Sequence, residues 1–245
     1  MSPEAEKILK SIFSFGTSED SFPFGGVQCQ SPGAGALFSL CELLATNPAE
    51  EAPHAFLCRY PGFLLGMFGT NDGGDLAFIS KPRIGTRFVG DFVIVQVFQG
   101  GATIRLIEIE TSHARLFTND LRPAERLQIA MKQLDEWREW IEPNKLSFVR
   151  SIIDTACDAP LYSPDCEDQK SCRFMTPDEV RGLWNAFRGF EHPYLNYSAI
   201  IGRWSQLIPK EKERFLSKFG RYGDVILTFD QLARRAIYRP TRQEL

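Results

Sequence analysis

Three carboxylates near the middle of the chain, Asp91, Glu108 and Glu110, flank two apolar runs that are joined by Gly100-Gly101. Two glycines between such runs predict a two-residue hairpin loop. Counting outward from that loop places Asp91 opposite Glu110, and strand alternation puts Glu108 on the same face. Three like charges this close repel one another unless a cation lies between them, and oxygen ligands suit Mg²⁺ or Mn²⁺. The pattern therefore predicts a divalent-metal site, with an exposed acidic strand edge as the open alternative.

The residues around the acids indicate which side of the hairpin is buried. Ile107 and Ile109 alternate with the acids, and Phe92, Ile94 and Phe98 share their side of the sheet. This alternation predicts that the apolar side is the packed core. The acids are then expected to line the open, ligand-facing side.

The elements that must position the acids form an α/β pattern. Four segments rich in Val, Ile and Phe predict a β-meander: Phe63–Phe68, Leu76–Lys81, Phe88–Phe98 and Thr103–Thr111. An apolar stripe at helical spacing predicts a helix from Pro123 to Ile141. Strands and helices that alternate after a meander indicate a central mixed sheet flanked by helices. Further helices are predicted over Glu4–Phe15, Leu37–Ala45, 48–61, Pro209–Phe219 and Asp230–Ala236, and strands over Ala199–Gly202 and Val225–Phe229.

Two parts of the chain are predicted to lie outside this core. Residues 1–47 combine a helix with a Gly/Pro/Ser-rich stretch and are interpreted as an N-terminal appendage. The main domain is predicted to span residues 48–245, with an irregular insertion over 143–194 that begins at Pro143.

Composition narrows the class of protein. No apolar stretch approaches the roughly 20 residues of a membrane span, so we expect a protein of the cytoplasm without a membrane partner. The six cysteines show no CxxC pair and are predicted to be free thiols. The net charge of −3 argues against a general polyanion binder. From Ile201 onward Lys and Arg outnumber Asp and Glu, so this part could face phosphates, or be ordinary solvated surface.

An acid that opens one strand, followed by acid-x-acid or acid-x-Lys on the next, is the pattern of PD-(D/E)XK nucleases. Three blocks that begin on the second strand of the hairpin, Leu106–Thr111, Leu116–Thr118 and Ala130–Trp137, resemble the Shedu anti-phage nuclease family. Outlying blocks over 50–64, 199–203 and 225–233 fit the same family, so the resemblance spans about residues 48–236. The resemblance implies a PD-(D/E)XK, restriction-endonuclease-like core.

The resemblance also implies roles for single residues. Asp91 and Glu108 would be metal ligands, and Gln133 would be the supporting residue on the long helix. Glu110 stands where the family pattern usually has lysine, and a glutamate cannot stabilise developing negative charge as lysine does. Glu110 could instead act as a general base or as a further metal ligand.

The function that follows from the resemblance is a Mg²⁺- or Mn²⁺-dependent endonuclease that cuts double-stranded DNA in anti-phage defence. Arg203 is a candidate nucleic-acid contact in the basic C-terminal part, and a homo-oligomer is expected. The alternative, favoured by the missing lysine, is a nuclease-like domain that has lost catalysis and serves as a nucleic-acid or protein interaction module.

Overall fold

A five-stranded mixed sheet forms the centre of the computed structural model, which describes residues 1–14, 32–68, 75–98, 101–158, 193–219 and 225–237. Its strands are β1 (Asp75–Ser80), β4 (Phe92–Phe98), β5 (Gly101–Ile109), β6 (Tyr194–Ile200) and β7 (Val225–Leu227). They are ordered β1-β4-β5-β6-β7 across the sheet. β1, β4 and β5 are antiparallel neighbours, whereas β6 and β7 run parallel to β5. β2 (Arg83–Ile84) and β3 (Phe88–Val89) form a separate two-stranded sheet. The predicted α/β class and central mixed sheet are confirmed.

Helices cover both faces of the sheet. One face packs against α5 (Glu125–Asp158) and α6 (Pro209–Phe219), and the other packs against α1 (Pro3–Ser14), α2 (Ala34–Ala45), α3 (Glu51–Arg59), α4 (Gly62–Phe68) and α7 (Phe229–Ile237). The predicted boundary at residue 47 stays a prediction, but α1 and α2 share one apolar cluster with the sheet. None of the helices in these described ranges is long and apolar enough to cross a membrane.

Strand alternation explains why both faces are packed. Val93 and Leu106 point toward α5, whereas Phe92 and Ile107 point toward the N-terminal helices. The prediction that the acid-bearing side is open is therefore wrong. That side is apolar along most of its length, and the acids stand only where the strands end.

The segment Phe63–Phe68 is a helix, α4, and the prediction of a strand there is wrong. Every residue of α4 is buried. A short run that is apolar on all sides has neither the two-residue period of a half-buried strand nor the helical period, so its pattern cannot distinguish the two.

The predicted end of the long helix at Ile141 is also wrong, because α5 continues through Pro143 to Asp158. Proline has no N–H to donate to the carbonyl four residues earlier, that of Glu139, while the side-chain amide of Asn144 donates to the next carbonyl, that of Trp140, at 2.8 Å. Buried apolar residues continue the stripe beyond the proline and favour the helix, namely Phe148, Val149, Ile152 and Ala156. The residues 143–158 are therefore helical rather than irregular; the rest of the predicted insertion, up to residue 192, lies outside the described residues.

The predicted register of the hairpin is shifted by two residues. Phe98 pairs with Gly101 and Phe92 with Ile107, so the residue before β4, Asp91, comes opposite Glu108 and not opposite Glu110. The connection is therefore residues 99–100 rather than the two glycines. A shift of two keeps every side chain on its predicted face, which is why the three acids still share one side.

Gly85, in the turn between β2 and β3, should tolerate no side chain. Its φ is +64°, and a Cβ atom there would lie 2.1 Å from the Trp140 ring of α5. We expect Gly85→Ala to lower the free energy of unfolding by about 2 to 4 kcal/mol, measured by urea denaturation. Gly35→Ala is the matched control, because α2 leaves open space there and alanine favours a helix by about 1 kcal/mol. Equal unfolding midpoints for the two variants would show that the Trp140 ring does not constrain this turn.

Candidate functional site

Asp91 is placed at the base of the hairpin formed by β2 and β3. Ser80 pairs with Phe92 across β1 and β4, and the next pair is Lys81 with Asp91, where the Lys81 amide donates to the Asp91 carbonyl at 2.8 Å. Asp91 is buried, with 4% of the residue exposed. The Oδ2 atom accepts the Ile109 amide of β5 at 2.7 Å, so a backbone hydrogen bond holds the first acid against the second strand.

Glu108 and Glu110 lie at the end of β5, buried at 7% and 4% exposure. The Glu110 amide donates to the Ile200 carbonyl of β6 at 2.9 Å, which fixes the backbone beyond the strand. Burial, together with the charges of Asp91, Glu50 and Glu110, raises the pKa of Glu108 to about 9. Burial also raises the pKa of Glu110, although Arg126 acts against the rise. These carboxylates cannot all be ionised at neutral pH without a compensating cation.

Three further charged or titratable residues belong to the site. The ammonium of Lys81 forms an ion pair with Asp91 Oδ1, and Nε2 of His54 on α3 lies 4.0 Å from the same oxygen. His54 stacks on the Phe92 ring with 4.5 Å between centroids. Burial lowers its pKa and Lys81 lowers it further, so the ring is neutral at pH 7. The pKa of Glu50 is raised by burial and then by the charges of Asp91 and Glu110, so this carboxylate interacts electrostatically with the acids.

Glu50 belongs to the sequence block over residues 50–64, and its carboxylate interacts electrostatically with Asp91 and Glu110. Lys81 was missed altogether. The available signal was the strand pairing, because a correct β1–β4 register puts Lys81 directly across from Asp91.

Helix α5 covers the acids from the side. Nη1 of Arg126 lies 3.6 Å from Glu110 Oε2, and Trp137 packs close to Gly90, where a Cβ atom would meet its ring at 3.3 Å. Gln133 lies between these two along α5 and on their side of the helix, since 126, 133 and 137 are separated by seven and four residues. Gln133 is half-buried. Its predicted supporting role stays a prediction.

Arg203 is buried, at 5% exposure. Its guanidinium forms an ion pair with Glu4 of α1 at 3.7 Å and donates to the Leu44 carbonyl of α2 at 3.5 Å. These partners join α1 and α2 to the loop after β6. The predicted nucleic-acid contact of Arg203 stays a prediction, and one that burial disfavours.

The donor atoms suit a hard cation, although the side chains are not gathered around one. Among the described residues, no three His, Cys, Asp or Glu side chains are placed to hold a metal ion together. However, Glu110 Oε2 is buried without a hydrogen-bond partner, which is costly for a carboxylate oxygen. A Mg²⁺ or Mn²⁺ ion could be bound by such a buried carboxylate oxygen, since both ions prefer oxygen ligands. Cys41 and Cys58 are free thiols, as predicted, and the side chains of the other four cysteines lie outside the described residues.

The sheet and the site together define a mixed α/β protein with a buried acidic centre where β4 begins and β5 ends. The family model described as Shedu protein SduA, C-terminal, matches residues 48–233, which is most of the chain. The chain therefore belongs to the Shedu SduA C-terminal family, as the sequence blocks predicted. Membership in this family implies a role in anti-phage defence. No curated protein sequence matches the chain significantly.

Proposed function

We propose that the protein is a metal-dependent endonuclease of the PD-(D/E)XK class that hydrolyses double-stranded DNA in anti-phage defence. The observation that carries the proposal is the acidic centre itself: Asp91, Glu108 and Glu110 are buried at the ends of adjacent strands. Burying like charges is costly unless they are neutralised. A bound cation would neutralise these buried carboxylates, so the site is suited to binding one.

Some residues of the site would bind the cation, and others would orient the residues that bind it. Asp91, Glu108 and Glu110 would bind Mg²⁺ or Mn²⁺, with Glu50 beside them. A bound divalent ion lowers the pKa of water and neutralises charge on a phosphate. In hydrolysis a water molecule loses a proton as its oxygen bonds to phosphorus, the ester P–O bond breaks, and the leaving oxygen takes up a proton. The Ile109 amide keeps Asp91 oriented throughout, at 2.7 Å from Oδ2.

The proposal is tested by incubating the intact chain with plasmid and linear DNA in Mg²⁺, in Mn²⁺ and in EDTA. We expect cleavage that requires the metal and falls at least about a hundredfold in Asp91→Ala. Asp154→Ala is the matched control, since Asp154 is exposed on the distal half of α5. Equal cleavage by Asp91→Ala and the parent would rule out this site.

The alternative function, an interaction module without catalysis, has one observation in its favour. The chain has glutamate at position 110, where the nuclease pattern usually has lysine, and the positive charge that contacts Asp91 is the ammonium of Lys81. Tight DNA binding by the parent chain, with no cleavage in either metal, would establish this second function.

A further inference from the structure

Lys81 occupies an unusual backbone position directly beside the acidic centre. Its φ is 51°, in the left-handed region that residues other than glycine adopt only at an energetic cost. Two contacts hold it there: its amide bonds to the Asp91 carbonyl at 2.8 Å, and its ammonium pairs with the Asp91 carboxylate. The strained backbone keeps the side chain directed at the acids.

The ammonium lies among several carboxylates, although the side chain of Lys81 is 53% exposed. Burial lowers its pKa, but the hydrogen bond to Asp91 and the charges of Asp91, Glu108 and Glu50 more than offset this and raise it overall. An ion pair with a half-exposed partner contributes little to stability, because solvent screens it. Stability alone therefore does not account for a strained lysine at this place.

We propose that Lys81 is the resident cation of the acidic centre and supplies the positive charge that position 110 lacks: it holds Asp91 in the metal-free protein and turns to the scissile phosphate when a metal takes Asp91. This inference rests on the proposed function and names the residue that contacts its substrate. Lys81 stays protonated and transfers no proton. It donates hydrogen bonds to a phosphate oxygen and stabilises negative charge that develops there.

The geometry favours this exchange. Asp91 offers two oxygens; Oδ2 is committed to the Ile109 amide, so Oδ1, which Lys81 contacts, is the oxygen a metal would use. The metal and the ammonium therefore compete for one atom. The lysine stem is long and half exposed, so the ammonium can move to a neighbouring phosphate without a change in the backbone.

The competition can be measured without DNA. Mn²⁺ binding to the metal-free intact chain is followed by isothermal titration calorimetry in the parent, Lys81→Met, Lys81→Arg and the control Lys10→Met. Lys10 is exposed and pairs with Glu6 on α1. We expect Lys81→Met to bind Mn²⁺ about fivefold more tightly, because it removes the competing ion pair, whereas Lys81→Arg and Lys10→Met bind as the parent does.

Cleavage of plasmid DNA by the same variants completes the test. Lys81→Met is expected to cut at least about a hundredfold more slowly than the parent despite its tighter Mn²⁺ binding, and Lys81→Arg to recover part of the rate. A residue that merely supports the fold would weaken both properties. If the parent cuts DNA and Lys81→Met matches its rate or its Mn²⁺ affinity, the role of Lys81 is refuted while the proposed function stands. If the parent neither binds Mn²⁺ nor cuts, both are refuted.

Discussion

Glu108→Gln is expected to abolish DNA cleavage and at the same time to make the metal-free protein more stable. Glu108 is 7% exposed and lies among other carboxylates. Glutamine keeps the size of the side chain and cannot ionise, so folding at pH 8 no longer requires a carboxylate that is ionised in the unfolded chain to take up a proton. The gain in the free energy of unfolding should be on the order of 1 to 3 kcal/mol at pH 8, while cleavage should fall at least about a hundredfold.

Urea denaturation in EDTA and plasmid cleavage in Mg²⁺ measure the two effects on the same preparation. Glu136→Gln is the control, because Glu136 is 38% exposed and pairs with Lys132 along α5. It should change the free energy of unfolding by less than about 0.5 kcal/mol and leave cleavage intact. A Glu108→Gln variant less stable than the parent would mean that the ionised carboxylate already has a stabilising partner in the metal-free protein.

The metal-free protein is also expected to lose stability as the pH rises toward 9. The pKa of Glu108 is about 9 in the folded chain against an ordinary value of 4.5. Between these values the folded state binds more protons than the unfolded state, so the free energy of unfolding falls with increasing pH. The pKa values of Glu50 and Glu110 are raised as well and act in the same direction. His54, whose pKa is lowered, acts oppositely below its ordinary value of 6.5, so the fall should be clearest above pH 7.

The decrease in the free energy of unfolding is measured by urea denaturation of the metal-free protein in EDTA at pH values between 5 and 9. Several units of raised pKa correspond to a few kcal/mol, at about 1.4 kcal/mol per unit. Glu108→Gln should flatten the curve, because it removes a carboxyl group whose pKa is raised to about 9, and saturating Mn²⁺ should flatten the curve of the parent. A parent curve that rises steadily to pH 9 would contradict the raised pKa of Glu108.

Much of the fold could be predicted from the sequence because periodicity and turn residues report local structure. The helix α6 was predicted at its observed bounds, and β1 and β5 within two residues. The errors occurred where local pattern and tertiary packing differ. α4 is apolar on every side, so the spacing of its apolar residues does not distinguish a helix from a strand. α5 continues through Pro143 because the apolar stripe beyond the proline still packs on the sheet.

The candidate site was predictable in part for a related reason. Asp91, Glu108 and Glu110 lie on neighbouring strands of one hairpin, and an error of two residues in register leaves side chains on the same face. Lys81 and Glu50 come from elsewhere in the chain. Lys81 reaches Asp91 because it extends the pairing of β1 with β4, and the hydrogen bond from the Gly90 amide to the Pro82 carbonyl, at 3.0 Å, continues that pairing. The sequence could reveal this contact only through the register of β1 and β4, which no local spacing fixes.

The hydrogen bond from the Ile109 amide to Asp91 Oδ2, at 2.7 Å, gives the molecule an internal spectroscopic reporter. The chemical shift of an amide proton follows the charge of the oxygen that accepts it. In a nitrogen–proton NMR spectrum of the metal-free chain, the resonance of Ile109 therefore reads the state of Asp91 directly, whether its partner is Lys81 or an added diamagnetic Mg²⁺ ion. In the ¹⁵N-labelled chain, a single backbone signal can follow the exchange of cations without a substitution at the site.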